Sequence, residues 1–173
     1  MRVRPATPAD AEAVAAIWHT GWHDGHDGNV PDELAAVRTK DTFWSRARER
    51  VAETTVAVVD ATAASSETPA EVVAGFVIVA GDEVEQVYVS RDHRGSGVAG
   101  VLLAEAERQV EAAGHPAAWL AVATGNDRAR RFYERSGWTD AGAFDYQAAV
   151  DGGTIPVPCH RYVRKFSAPE AAE

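Results

Sequence analysis

The sequence is poor in cysteine and in basic residues, and it lacks long apolar runs. One cysteine in 173 residues gives no basis for an internal disulfide. Lys and Arg number 17 against 26 Asp and Glu, a formal charge of -9 that disfavours nucleic acid or an anionic membrane as the main partner and mildly favours a cationic substrate. With no run of eighteen apolar residues and no basic-then-apolar start, we expect a cytoplasmic protein without a membrane span or secretion signal.

The length bounds the number of domains. A chain of 173 residues can build one sizeable core but not two cofactor-sized domains. We therefore expect one domain over residues 1–166. The tail SAPEAAE, residues 167–173, is predicted to be disordered.

The N-terminal part predicts a strand and two helices. Residues 2–4 favour a short strand, and apolar residues between Ala11 and Trp18 recur at helical spacing. The segment GWHDGHDGNVP, residues 21–31, mixes glycine and proline with polar residues and predicts a loop. A second helix is predicted over residues 32–50.

Three strands are predicted next. Residues 54–60 and 72–80 are rich in β-branched side chains and predict two strands joined by a hairpin loop. The third strand, EVEQVYV over residues 83–89, alternates strictly. This alternation predicts one face carrying Glu83, Glu85, Val87 and Val89 and an opposite face carrying Val84, Gln86 and Tyr88.

The C-terminal half predicts a parallel strand pair and a closing antiparallel pair. A helix from Gly97 to Gly114 precedes the apolar stretch of residues 117–124, so residues 83–124 form a strand, helix, strand unit with a right-handed crossover. A last helix runs from Asn126 to Gly137. Residues 138–146 and 155–166 predict the closing strands.

The stretch RGSGVAG, residues 94–100, contains the G-x-G-x-x-G spacing of a dinucleotide site. Such a site places its first glycine directly after the first strand, with an acidic residue about 20 positions on, and neither condition holds here. A Walker loop fails because no Lys followed by Ser or Thr comes after the last glycine. Successive backbone N–H groups before a helix still suit an anion such as pyrophosphate.

Two motifs resemble the GCN5-related N-acetyltransferases, the GNAT superfamily. The family pattern Arg/Gln-x-x-Gly-x-Gly/Ala appears as Arg94, Gly97 and Ala99 after the strand segment QVYVS. The later segment NDRARRFYERSGW, residues 126–138, matches Asn-x-x-Ala-x-x-Phe-Tyr-x-x-x-Gly-aromatic. The resemblance covers about residues 2–166.

The resemblance implies an α/β fold of the mixed α+β kind. Its twisted sheet of about seven strands is mostly antiparallel and flanked by helices, and strands four and five splay apart to admit coenzyme A. In this chain those strands are residues 83–89 and 117–124. On this interpretation Gly95 and Gly100 complete the dinucleotide pattern by coincidence.

The resemblance also implies an activity and its residues. Acetyl-coenzyme A would donate an acetyl group to a primary amine of a small molecule or peptide, by direct attack in a ternary complex and without a metal. A carboxylate of strand four would serve as base, with Glu85 placed before Glu83, although both could be solvated strand residues. Tyr133 would protonate the departing thiolate, or else pack beside Phe132. The implied coenzyme-binding residues are Val87, Tyr88, Val89, Arg94, Gly95, Ser96, Gly97, Val98, Ala99, Gly100, Asn126, Arg130 and Tyr133.

Two of these assignments have simpler alternatives. Asn126 is also a good helix cap, and the arginines at positions 128, 130 and 131 could form a solvated helix face. The segment after the first helix is the usual acceptor-binding region of the family. It implies four acceptor contacts, Trp22, His23, Asp24 and Asp27, which could equally be ordinary loop residues.

The histidines of this segment do not predict a metal site. His19 and His23 share a helix face, but Gly21 is expected to interrupt the helix, and no Cys or nearby Glu joins them. The runner-up to the enzyme is a non-catalytic module that binds or senses acyl-coenzyme A, which the joint presence of a candidate base and Tyr133 disfavours. The acceptor's identity and the oligomeric state, including a homodimer, stay open.

Overall fold

The computed structural model describes residues 1–61 and 71–166. The predicted hairpin loop between the second and third strands falls almost wholly on residues 62–70, and the predicted tail on 167–173, so both predictions lie outside the described residues. The strands are β1 (Arg2–Pro5), β2 (Thr54–Asp60), β3 (Glu71–Ala80), β4 (Glu83–Val89), β5 (Ala117–Ala123), β6 (Thr139–Val150) and β7 (Gly153–Lys165). The helices are α1 (Ala11–His26), α2 (Asp32–Val37), α3 (Lys40–Glu49), α4 (Val98–Ala112) and α5 (Asp127–Arg135). None of them has the length and apolar character needed to cross a bilayer.

The seven strands form one sheet in the order β1-β2-β3-β4-β5-β7-β6. Every neighbouring pair is antiparallel except β4 and β5, which are parallel and pair only between Glu83 and Trp119. Beyond that point β4 and β5 separate. The predicted mixed, mostly antiparallel sheet with splayed strands four and five is confirmed.

A β-bulge in β4 overturns the predicted alternation of this strand. Ile78 of β3 pairs with Gln86, whereas the next residue, Val79, pairs with Val84, so Glu85 is an extra residue without a partner on β3. A bulge shifts all later side chains by one position relative to a regular strand. Glu83 and Glu85 therefore lie on the face of Tyr88, while Val84 joins Val87 and Val89 on the other face.

The two faces of the sheet bury separate cores. Helices α1, α2 and α3 cover one face around Trp18, Phe43 and Phe76, all fully buried. Helix α4 covers the other face, where Leu102 and Tyr162 are fully buried, and α5 packs there as well. Since strands alternate their side chains between faces, one sheet supports both cores.

Helix α1 continues through Gly21 to His26, so the predicted loop at residues 21–31 is wrong in its first half. The two helical glycines allow a close approach: a Cβ on Gly21 would lie 2.5 Å from the Tyr88 ring, and one on Gly25 would lie 2.9 Å from the Asn126 amide nitrogen. Glycine here permits helix-to-sheet packing and does not end the helix.

The single helix predicted over residues 32–50 is two helices in the structure. Arg38 leaves helical geometry with φ -86° and ψ 65°, and Thr39 then caps α3 by accepting a hydrogen bond from the Thr42 N–H at 3.3 Å. A threonine hydroxyl at this position satisfies a backbone donor that the helix itself leaves unpaired. The break turns the Arg38 side chain into the interior.

The close contact between α1 and β4 predicts that a larger side chain at Gly21 lowers the stability of the fold. Gly21→Ala gains about 1 kcal/mol of helix propensity, but its methyl group meets the Tyr88 ring, which packs on Phe76. Overpacking costs about 1–3 kcal/mol, so we expect a lower Tm in calorimetry. The matched control is Gly100→Ala in α4, where no atom lies within 4 Å of the added Cβ and the Tm should not fall. An unchanged or higher Tm for Gly21→Ala would contradict the close packing.

Candidate functional site

A cleft of about 760 Å³ passes through the gap between β4 and β5 and reaches both faces of the sheet. We call its two ends the glycine-loop side and the arginine side. The glycine-loop side is lined by loop residues from His93 to Gly97, the first turn of α4, Asn126, Ala129 and Tyr133. The arginine side is lined by Arg38, Arg46, Arg50, Glu83, Glu85 and Tyr146.

The glycine loop presents backbone donors to the cleft. Gly97 has φ +87° and caps α4. The first backbone hydrogen bond of that helix is donated by the N–H of Val101 to the Gly97 carbonyl. The N–H groups of residues 98–100 therefore lack helical acceptors. At a helix N-terminus such donors favour an anion.

Gly95 has a structural reason of its own in this loop, independent of its match to the dinucleotide pattern. Its φ is +78°, a conformation that L side chains rarely adopt. Gly100, in contrast, has an ordinary helical backbone with no close neighbour at a Cβ position. Of the two glycines outside the family motif, only Gly95 is needed for the turn.

Arg94 lines the cleft but already has a partner. Its guanidinium donates to Asp24 of α1 at 2.7 Å, and Arg91 donates to the same carboxylate at 2.7 Å. Hydrogen bonds from Arg91 and Arg94 lower the pKa of Asp24 to about 2. Asp24, predicted as an acceptor contact, therefore positions the arginines of the glycine loop.

Backbone groups of β4 face the gap. The N–H of Ser90 bonds to the Ala74 carbonyl of β3, and backbone groups alternate sides along a strand. The N–H and C=O groups of Val87 and Val89 therefore point toward β5, which has separated from β4 at this level. These polar groups are available to a ligand in the gap.

Two carboxylates of β4 lie on the arginine side in different surroundings. The Tyr146 hydroxyl donates to Glu83 at 2.9 Å, and burial together with the charge of Glu85 raises the pKa of Glu83 although that hydrogen bond opposes the shift. Glu85 instead forms an ion pair with Arg50, which also pairs with Glu53. Of the two, Glu83 carries no cationic partner among the described residues.

Tyr133 and Asn126 lie beside the glycine loop. Tyr133 packs on Phe132, Trp138 and Tyr162, and burial raises the pKa of its hydroxyl well above the usual value. The Asn126 side chain accepts a hydrogen bond from the Ala129 N–H at 3.2 Å. It is thus the cap of α5 and also lines the cleft.

Two residues implied as coenzyme contacts are directed elsewhere. Arg130 donates to Tyr162, to the Thr124 carbonyl and to Asp140, outside the cleft lining, whereas Arg128 of the same helix does line it. The Ser96 hydroxyl donates to the His93 carbonyl. The structure does not bring Arg130 or Ser96 side chains to the site.

The implied acceptor contacts separate because they lie on a helix and not on a loop. Trp22 is 6% exposed, stacks on His26 and lines the cleft. His23 lies 2.7 Å from both the Asp27 carboxylate and the Arg38 carbonyl; burial lowers its pKa, but these hydrogen bonds outweigh burial and raise it overall. His23 and Asp27 thus tie α1 to the segment before α3 and do not line the cleft.

Sequence reasoning missed Arg38, Arg46 and Tyr146. Arg46 of α3 and Arg50, the C-cap residue of that helix, are four positions apart, a spacing that places them on one helix face and could have indicated a basic surface. Arg38 and Tyr146 carry no such signal. Only the helix break at Arg38 and the approach of β6 to β4 bring them to the cleft.

The acetyltransferase (GNAT) family has a sequence model that matches residues 20–138. No curated protein matches the sequence significantly. A GCN5-related N-acetyltransferase from Rhodopseudomonas palustris is similar in structure, with a TM-score of 0.67, 20% identity and 95% of each chain covered. The fold is also that of yncA from Salmonella typhimurium, solved with its cofactor acetyl-CoA, with a TM-score of 0.64, 20% identity and 99% of each chain covered. The paia N-acetyltransferase from Thermoplasma acidophilum, solved with coenzyme A, has a TM-score of 0.66 and 15% identity over 95% of this chain and 98% of its own.

The contact between Tyr146 and Glu83 predicts a shift that NMR can measure. Because the Tyr146 hydroxyl stabilises the charged carboxylate, Tyr146→Phe should raise the pKa of Glu83 further. A pH titration of the ¹³C-labelled glutamate carboxyl carbons reports this value directly. Tyr162→Phe is the control, since its hydroxyl donates to Glu134 on the opposite face. A Glu83 pKa that stays constant or falls in Tyr146→Phe would refute the contact.

Proposed function

The chain belongs to the acetyltransferase (GNAT) family, and from that premise we propose that it transfers an acetyl group from acetyl-coenzyme A to a primary amine by direct attack in a ternary complex. The observation that carries this proposal is the continuous cleft through the β4–β5 gap. It joins an anion-binding loop on one face of the sheet to carboxylates on the other.

The glycine-loop side fits the pyrophosphate of coenzyme A. Gly95 and Gly97 have no atom within 4 Å of a Cβ position, so a phosphate can approach their backbone. The free N–H groups at the start of α4 supply donors, and Arg94 adds a positive charge when it exchanges its bonds to Asp24. Polar backbone groups of Val87 and Val89 suit the amide-bearing pantetheine arm, with Asn126 beside them.

The arginine side offers two candidate bases, and we place Glu83 before Glu85 on the strength of their different surroundings. An alkyl amine is mostly protonated at neutral pH and must lose a proton before it attacks. Glu83 is half-buried with a raised pKa and no cationic partner, whereas an ion pair with Arg50 occupies Glu85. We therefore assign the base to Glu83, with Tyr146 orienting its carboxylate.

Tyr133 is the proposed acid. Acetyl-coenzyme A, when bound, supplies a thioester whose carbonyl carbon accepts the amine. The Tyr133 hydroxyl is protonated at neutral pH, as a tyrosine ordinarily is, and burial raises its pKa further. It lines the cleft beside the glycine loop and can donate that proton to the leaving sulfur.

A substitution in the glycine loop tests coenzyme binding. Gly97→Val should weaken coenzyme A binding in calorimetry by about 100-fold or more, because a side chain at φ +87° covers the backbone donors. Gly81→Val is the control, since Gly81 has φ +62° and equally open surroundings but lies in the β3–β4 turn away from the cleft. Equal affinity of both variants and the unmodified protein would exclude the loop as the phosphate site.

A second substitution tests the base. Glu83→Gln should lower kcat/KM by about 100-fold or more at neutral pH, measured as thiol release from acetyl-coenzyme A. The loss should shrink as pH rises, since the free amine is then already neutral. In the unmodified protein kcat/KM should fall as pH drops through the raised pKa of Glu83. Glu85→Gln is the comparison: a larger, pH-dependent loss there would assign the base to Glu85. Coenzyme binding without thiol release from any amine would favour the binding-module alternative.

A further inference from the structure

We propose that the acceptor is a small amino acid whose carboxylate binds Arg38 and Arg46 while its amine lies at Glu83. This inference rests on the proposed function, because it concerns the acceptor end of the same cleft. It replaces the expectation, drawn from the net charge, of a simply cationic substrate.

Arg38 is a buried cation that forms no ion pair with any residue in the ranges 1–61 and 71–166. Its side chain is 6% exposed and lines the cleft, and one terminal nitrogen donates to the Ala149 carbonyl at 2.6 Å. Its Nε is buried without a hydrogen-bond partner among the described residues. A buried guanidinium is costly unless its donors are satisfied, and a carboxylate accepts two of them in parallel.

Arg46 adds a second cation next to Arg38. Its guanidinium lies 4.6 Å from the centroid of the Trp18 ring, and burial and the charge of Arg50 lower its pKa. Among the described residues, Glu53 and Glu85 are the carboxylates on this side that form ion pairs within 4 Å. Both of them pair with Arg50. Arg46 therefore forms no ion pair of its own, although the charge of Glu85 partly opposes the lowering of its pKa, and its positive charge also acts on Arg38.

The charges on the arginine side are arranged for two-point recognition. Arg50 is held by two carboxylates, Glu85 and Glu53. Among the described residues this leaves two cations, Arg38 and Arg46, and one carboxylate, Glu83, without an ion-pair partner. A simple amine would bring an ammonium group toward both guanidinium groups and be repelled. An acceptor with one anion and one amine satisfies both ends.

The surroundings limit the acceptor to a small molecule. Leu34 and Val157 line the cleft near Arg38 and are buried, with Ala148 on the neighbouring strand. Arg38 itself belongs to the segment that joins α2 to α3, and its buried guanidinium lies in the wall of the cleft. A peptide acceptor would have to extend beyond the buried Arg38 guanidinium. A free amino acid would instead end at this group with its carboxylate.

The first experiment compares matched acceptors in the thiol-release assay. Free amino acids such as methionine and phenylalanine are tested against their amides and against phenethylamine. The free acids should exceed the amides in kcat/KM by about tenfold or more, as expected for a charge-assisted contact. Equal rates for acids, amides and peptide amides would overturn the anion site and leave the acetyltransferase function standing.

The second experiment removes the cation. Arg38→Gln should abolish the preference for the free acid, mainly through KM, while Arg38→Lys should retain part of it. Arg48→Gln is the matched control, because this exposed α3 arginine stacks on Trp44 outside the cleft and should leave the preference unchanged. A full preference in a folded Arg38→Gln variant would overturn the assignment.

A binding measurement separates the two proposals. Calorimetry of the protein saturated with coenzyme A compares N-acetylmethionine with its amide. Tighter binding of the acid, lost in Arg38→Gln, supports the anion site even if no amine releases thiol, in which case only the acetyltransferase function fails. Equal binding of acid and amide overturns the anion site whatever the activity.

Discussion

The extra residue at Glu85 in β4 is the constraint on which the site depends. It lets β4 remain paired with β3 while Glu83, Glu85 and Tyr88 turn to the same face, and it lies just beyond the point where β5 separates. Without the bulge, a regular strand would send the carboxylates to the side of α4. The placement of both carboxylates on the arginine side thus comes from one local irregularity, which lies next to the opening between β4 and β5.

Helix α1 couples the two ends of the cleft. Gly21 and Gly25 allow it to lie directly on Tyr88 and Asn126. From this position Trp22 lines the arginine side, and Asp24 holds Arg91 and Arg94 at the glycine loop. An anion that binds Arg94 at the loop competes with the Asp24 carboxylate for this guanidinium. The charge balance of the glycine-loop side therefore depends on a residue of α1, the helix that also covers the arginine side.

The order and type of most elements could be predicted because they follow from local patterns. β-branched runs indicated the strands, and the spaced motifs around Gly97 and Asn126 indicated the family. The predictions that failed share a cause in tertiary structure. The glycines in α1 allow close packing, and the alternation of side chains in β4 shifts at the bulge in its pairing with β3. The helix break at Arg38 depends on the Thr39 cap. None of these is visible in hydrophobic periodicity, which reports the average face of an element and not a one-residue shift.

The acceptor site that we propose on the arginine side would make the net charge of the protein a poor guide to the charge of its substrate. A total of -9 is spread over the whole surface and screened beyond about 10 Å, whereas Arg38 and Arg46 act within a few ångströms and in a partly desolvated cleft. Local desolvation strengthens each contact and makes an uncompensated charge costly. The ligand preference that we propose for this cleft is therefore set by its few buried groups, Arg38 and Arg46 foremost, and not by the acidic surface that surrounds them.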